Sequence, residues 1–125
     1  MIIKDIAVGL SVLIGLGIIV IGVRFLLAPR AAAAAYGVAI NDEAGGAGAY
    51  VSAKGVRDIV SGLVVFLLIA IAGYRVLGAW MLVMTLIPMG DAVVVLRSGG
   101  SKAAAYGWHA ATAVVMAVIG IVLLA

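Results

Sequence analysis

The sequence predicts an all-α protein, a four-transmembrane-helix bundle with a short interfacial helix in the first loop, built as one domain over residues 1–125. Three observations lead there. Hydrophobic residues make up 67% of the chain, against roughly 45 to 50% in soluble domains, and the mean hydropathy is +1.39. Apolar runs long enough to cross a bilayer as a helix, about 20 residues, recur along a chain in which only 10% of residues are charged. Two of the connections, "AGYRV" and "RSGGSK", are so short that the helices they join must be antiparallel neighbours.

The first span is expected from Ile6 to about Leu27 and is closed by Pro29, because a proline pushes the residue before it out of helical geometry. Its length, and the lack of a small-residue cleavage site, make it a span and not a cleavable signal. "PRAAAAAYG" follows, with Pro29 at a first helical turn and Gly37 as a C-terminal stop, and reads as a short helix lying near the interface. "NDEAGGAGAY", Asn41 to Tyr50, has three glycines and two acids and reads as a solvated loop. The second span centres on Ile59 to Gly73 and borrows residues upstream of Asp58, from Ala49 on, to reach full length. The third runs from Val76 to Leu96 with Pro88 and Asp91 inside it, and the fourth from Ala103 to Ala125 with the single histidine, His109.

Charge placement gives an orientation. Arg24, Arg30, Lys54, Arg57, Arg97 and Lys102 flank the two loops on one side, whereas Lys4 and Arg75 lie on the other. The positive-inside rule then puts the richer side in the cytoplasm and both termini outside a cell membrane. The net charge of +3 fits attraction to anionic headgroups, so the expected partner is a lipid bilayer and not a nucleic acid. No cysteine is present, which removes disulfides, thiolate metal sites and thiol catalysis. Phosphate loops, paired histidines at metal spacing, serine nucleophile motifs and dinucleotide fingerprints are also missing, so no metal and no cofactor is expected.

The few ionisable residues share a depth. Arg24 lies six residues before Arg30, Asp91 six before Arg97 and His109 seven after Lys102, which puts each about 9 to 10 Å inside its own helix end. Arg57 and Asp58 enter from the same side. Helical phase sets Asp58 with Ser61 and Gly62, and His109 with Ala113, Ala117 and Gly120, on stripes of small residues of the kind that face neighbouring helices. A buried set of Arg24, Arg57, Asp58, Asp91 and His109 is therefore expected. Asp91 and His109 are the candidate catalytic pair, a carboxylate and an imidazole able to move a proton near neutral pH. Arg24, Arg57, Asp58 and Ser61 are candidate ligand-binding residues. Pro88 removes a backbone N–H and frees the carbonyl of Met84 near that set. Met81, Met84 and Met89 are expected as adaptable apolar lining, and Tyr74, Trp80, Tyr106 and Trp108 as interfacial anchors.

Three functions fit. The outer half carries almost no polar groups beyond Ser11, Thr85 and Thr112, which favours a one-sided, cytoplasm-facing pocket that binds an amphiphilic small molecule, either with acid–base chemistry by Asp91 and His109 or by binding or sensing alone. A proton-coupled exporter acting as a homo-oligomer is the second, since 17 glycines supply several close-packing faces. The third is a structural or accessory membrane protein in which buried ion pairs hold the helices together.

The runs "RFLLAPRAAAAAYG", "GVRDIVSGL" and "IPMGDAV", followed by a histidine opening the last span, resemble a family of small four-helix integral membrane proteins of bacteria and fungi catalogued as a domain of unknown function. The resemblance covers nearly the whole chain, with Arg24, Pro29, Arg57, Asp58, Asp91 and His109 as its most specific positions. It implies the four-helix membrane fold and no activity.

Overall fold

The computed structural model describes residues 1–41 and 45–125. The described chain is helical almost throughout and contains no strand among the described residues. α1 runs Ile2–Leu27, α2 Pro29–Tyr36 and α3 Gly46–Ile71. α4, Tyr74–Met84, and α5, Leu86–Arg97, form one rod interrupted at Thr85. α6, Lys102–Ala104, a π-helical segment Ala105–Ala110 and α7, Ala111–Leu124, form another. Among the described residues, three helices are long and apolar enough to cross a membrane: Ile2–Leu27, Tyr74–Arg97 and Lys102–Leu124. Large apolar side chains such as Leu13, Leu63, Val83 and Val114 point outward, each more than half exposed.

Local chemistry sets the boundaries. Pro29 occupies the first turn of α2, where its missing N–H costs nothing. Gly37 ends that helix at φ 117°, a conformation open mainly to glycine. The stretch expected as a loop up to Tyr50 is shorter than its composition suggests, since α3 already begins at Gly46 after Gly45 turns the chain at φ 80°. Alanines 47, 49 and 53 are good helix formers and extend α3 backwards. The two acids of that stretch, Asp42 and Glu43, lie outside the described residues. The rod of α4 and α5 breaks three residues before Pro88, whose ring removes the hydrogen bond that would close on Met84. The Thr85 hydroxyl donates to the Met81 carbonyl at 2.9 Å, a back-bond of the kind that bends helices.

Glycine pairs decide which helices touch. α1 and α3 run antiparallel with Gly15 against Gly62 and Gly22 against Gly55. A Cβ built on Gly62 would lie 2.6 Å from the Gly15 carbonyl oxygen, and one on Gly22 would lie 2.5 Å from that of Gly55. α4 and α7 meet in the same manner through Gly78 and Gly120. Backbones approach this closely only where side chains are absent, the mechanism by which helices associate in lipid.

The core divides in two. Ala7, Val65, Leu77, Met81, Met84, Met116, Ile119 and Leu123 pack into one apolar cluster toward the chain termini. Trp80 packs on this cluster and buries its indole N–H without a hydrogen-bond partner among the described residues. The side chain is partly buried, because α4 turns it toward the neighbouring helices. Ala92, Val95 and Ala105, with Tyr36, Val38 and Leu96 against them, form a smaller cluster at the other end. There the turn after α5 is tied to α2: the Ser101 N–H donates to the Gly37 carbonyl at 3.0 Å.

Candidate functional site

A cavity of about 270 Å³ lies between the two clusters. Met84 and Met116 from the large cluster form part of its wall, and Tyr36 at the end of α2 lines it from the other side. Its walls are mostly apolar. Ile21, Ile87 and Trp108 line it while remaining 49%, 42% and 71% exposed, so its flank opens between helices through apolar side chains.

One end is ionic. Lys54 and Asp58 stand four residues apart on α3 and so share a face; the Lys54 ammonium donates to both carboxylate oxygens of Asp58, at 3.0 and 3.3 Å. The same nitrogen lies 3.5 Å from Asp91 Oδ2 on α5. Its remaining sides face rings, at 5.2 Å from the centroid of Phe25 and 5.3 Å from that of Tyr36, within the range of cation–π attraction. Side-chain exposure is 27% for Lys54, 12% for Asp58, 21% for Asp91 and 14% for His109. Charges taken this far out of water persist only when paired.

Asp91 is the hub. Its Oδ1 accepts the Tyr36 hydroxyl at 3.1 Å, and its Oδ2 faces His109 Nδ1 at 3.9 Å as well as Lys54. His109 Nε2 lies 2.8 Å from the Tyr36 carbonyl oxygen. A carbonyl can only accept, so Nε2 carries the proton and Nδ1 is the edge turned to Asp91. Tyr36 also stacks edge-on against the imidazole at 4.7 Å. Burial, reinforced by the Asp91 carboxylate that accepts its proton and by Asp58, pushes the Tyr36 phenol well above the ordinary tyrosine range. Tyr36 is thereby a fixed donor.

His109 sits inside the π-helical segment. That wider winding shifts its phase relative to α7, and such segments recur at functional sites. With neutral imidazole the network of one ammonium and two carboxylates carries one net negative charge, which a proton on Nδ1 would cancel.

The residues expected from the sequence divide clearly. Asp58, Asp91 and His109 meet at the ionic end, and Ser61, one turn along α3 from Asp58, lines the cavity. Thr112 also lines it. Arg24 stands on the wall as an exposed side chain. Arg57 does not reach the cavity: it is exposed, because one residue along a helix turns the side chain about 100° away from Asp58. The cation of the network is Lys54 instead, only partly buried. The four-residue spacing from Lys54 to Asp58 was the available signal for it. Tyr36 gave none, since its partner lies 55 residues away. Among the methionines, Met84 lines the cavity, Met81 is packed in the core and Met89 is exposed. Among the described residues no group of three acidic or histidine side chains is placed to hold a metal ion.

A family model described as a domain of unknown function, DUF4267, matches residues 15–123. The chain belongs to that family. A search of the curated proteins and a search of the solved structures find no match. The DUF4267 match takes in every member of the ionic network, from Tyr36 and Lys54 to His109, and both α1–α3 glycine pairs.

Proposed function

We propose that this DUF4267 protein crosses the membrane four times and takes an amphiphilic small molecule from the bilayer into its cavity, polar head against the Lys54–Asp58–Asp91–His109 network and apolar body toward the open flank. α3 supplies the fourth span, its residues 59–71 carrying no charge, and α2 lies at the interface. The end with six cationic residues faces the cytoplasm and the termini face outward.

The observation that carries the reading is the polarity of the cavity: an ionic end and an exposed apolar flank in one space of about 270 Å³. The volume lies just below that of ligand sites, which run roughly from 300 to 1,000 Å³, and the character matches them, apolar walls with a few convergent polar groups. In a bilayer the flank opens onto acyl chains. An amphiphile can enter sideways, and a water-soluble solute has no such route.

Conduction is the weaker reading. Beyond the cavity the large apolar cluster is packed shut, and the two hydroxyls buried there, Ser11 and Thr85, are bonded to carbonyls of their own helices at 2.8 and 2.9 Å. The proton of each is engaged, so neither offers a free donor along that path. Asp91 and His109 are placed to exchange a proton with a bound head, the step that would turn binding into acid–base chemistry.

Photoaffinity labelling tests the reading. The chain is reconstituted in nanodiscs with decyl-chain diazirine probes bearing alcohol, carboxylate or trimethylammonium heads, and labelled residues are mapped by mass spectrometry. Saturable labelling of Ile18, Ile87 or Met116 by at least one probe, competed by its unlabelled parent, is expected. Labelling confined to outward residues such as Leu13 and Leu63, without competition, would leave the network as structural glue.

A further inference from the structure

We infer that the head this cavity selects is a neutral hydroxyl, so that its ligand is a membrane-soluble alcohol and not a fatty acid or an alkylammonium. The inference rests on the amphiphile-binding reading and specifies it.

The place of an ammonium head is already taken. A site for an alkylammonium needs carboxylates and aromatic faces around one point. Here that point holds Lys54 Nζ, between Asp58 and Asp91 at 3.0 and 3.5 Å and over the rings of Phe25 and Tyr36. A second cation would have to displace a tethered one.

An anionic head meets the opposite obstacle. Two carboxylates face the ionic end against one ammonium, and Arg24, the other cation on the wall, is exposed and makes no ion pair with the network. A third carboxylate there would add repulsion in a weakly screened space.

A hydroxyl fits what remains. Asp91 Oδ2 has Lys54 Nζ at 3.5 Å, beyond the roughly 2.7 to 3.2 Å of a formed N–H···O bond, and the unprotonated His109 Nδ1 at 3.9 Å. Asp91 Oδ1 is spent on Tyr36, and His109 Nε2 on the Tyr36 carbonyl. The unspent groups are thus two acceptors, Asp91 Oδ2 and the unprotonated Nδ1 of His109, with the Lys54 ammonium set back from the carboxylate. A hydroxyl donates once and accepts twice. It can give its proton to Oδ2 while its oxygen accepts from the ammonium, filling the gap without altering the charge of the network. An ether of the same size can accept but has no proton for Oδ2.

The three probes above, with decyl methyl ether as a fourth competitor, rank the heads on the wild-type chain. Bilayer concentrations for half-displacement are compared. 1-Decanol is expected to displace the label at a concentration at least about tenfold below those of the ether, decanoate and decyltrimethylammonium, the ratio set by one hydrogen bond to a charged acceptor. Asp91→Asn, which keeps the shape and removes the charge, is expected to bring alcohol and ether to within about threefold. If that variant does not fold, the ranking on the wild-type chain decides alone. Decanoate or decyltrimethylammonium ranking first, or an ether equal to the alcohol, overturns the hydroxyl assignment and leaves the amphiphile reading standing. Absence of saturable cavity labelling by any head overturns both.

Discussion

Replacing Lys54 by Met removes the ammonium of the network while keeping an unbranched side chain against Phe25 and Tyr36. The contacts of 3.0 and 3.5 Å to a single nitrogen put the carboxylate oxygens of Asp58 and Asp91 within about 6.5 Å of each other. Without the ammonium, two like charges at that separation repel by about 2.5 kcal/mol at an effective dielectric constant near 20. Each also loses a charge-assisted contact. Breaking a buried ion pair by removing one partner costs roughly 3 to 5 kcal/mol. These side chains keep 12 to 27% of their exposure, so a loss of about 3 kcal/mol is expected, at the lower end of that range. Reversible unfolding by SDS in mixed micelles reads it. Adding Asp58→Asn to Lys54→Met removes the repulsion and is expected to restore about 2 kcal/mol. If a carboxylate instead takes up a proton to relieve the strain, the gap between Lys54→Met and wild type closes as the pH is lowered. A Lys54→Met variant within about 0.5 kcal/mol of wild type, the range of an ordinary surface change, would refute the network as described. A double variant no more stable than the single one would refute the repulsion.

Glycine substitutions in α1 and α3 separate packing from helix propensity: Gly62→Ala, whose Cβ would lie 2.6 Å from the Gly15 carbonyl oxygen, is expected to cost about 1 to 3 kcal/mol. Gly17→Ala, with nothing within 4 Å, is expected to gain about 0.5 to 1 kcal/mol, both read by the same SDS titration. The hydroxyl of Tyr36 is held protonated, so the stability it contributes is complete below its ordinary pKa of 10.0 and is lost as the pH rises from there toward its raised folded value. Difference absorbance of tyrosinate between wild type and Tyr36→Phe checks this, and a Tyr36 signal appearing already at the ordinary value would contradict it. Arg57→Gln is expected to leave cavity labelling unchanged, because Arg57 is exposed and off the wall, whereas Lys54→Met should weaken it about tenfold or more.

Much of the helical layout was legible because it rests on local rules. Pro29 and Gly37 delimit α2 by backbone geometry alone, and Pro88 marks the break in the rod of α4 and α5. Depth along a helix is also local, which is why Asp58, Asp91 and His109 were expected together. What the sequence hid is angular and long-range. Arg57 and Lys54 lie three residues apart near one helix end, and only the Asp58 face distinguishes the paired cation from the exposed one. Tyr36 joins the site through a fold in the chain that brings α2 under α5 and the π-helical segment, and no spacing encodes that. The π winding around His109 likewise follows no motif in "AYGWHA", although Gly107 within it lowers the cost of irregular backbone.

His109 is the single histidine of the chain, so labelling histidine alone with nitrogen-15 isolates the imidazole at the ionic end of the cavity. Solid-state NMR in bilayers containing 1-decanol labelled with carbon-13 at its first carbon then measures whether the head of the alcohol lies beside that ring. A dipolar contact between the labelled carbon and His109 Nδ1, lost on competition with unlabelled alcohol, is the expected result. A histidine signal without contact, with the labelled carbon seen only in bulk lipid, would contradict a binding site at the ionic end.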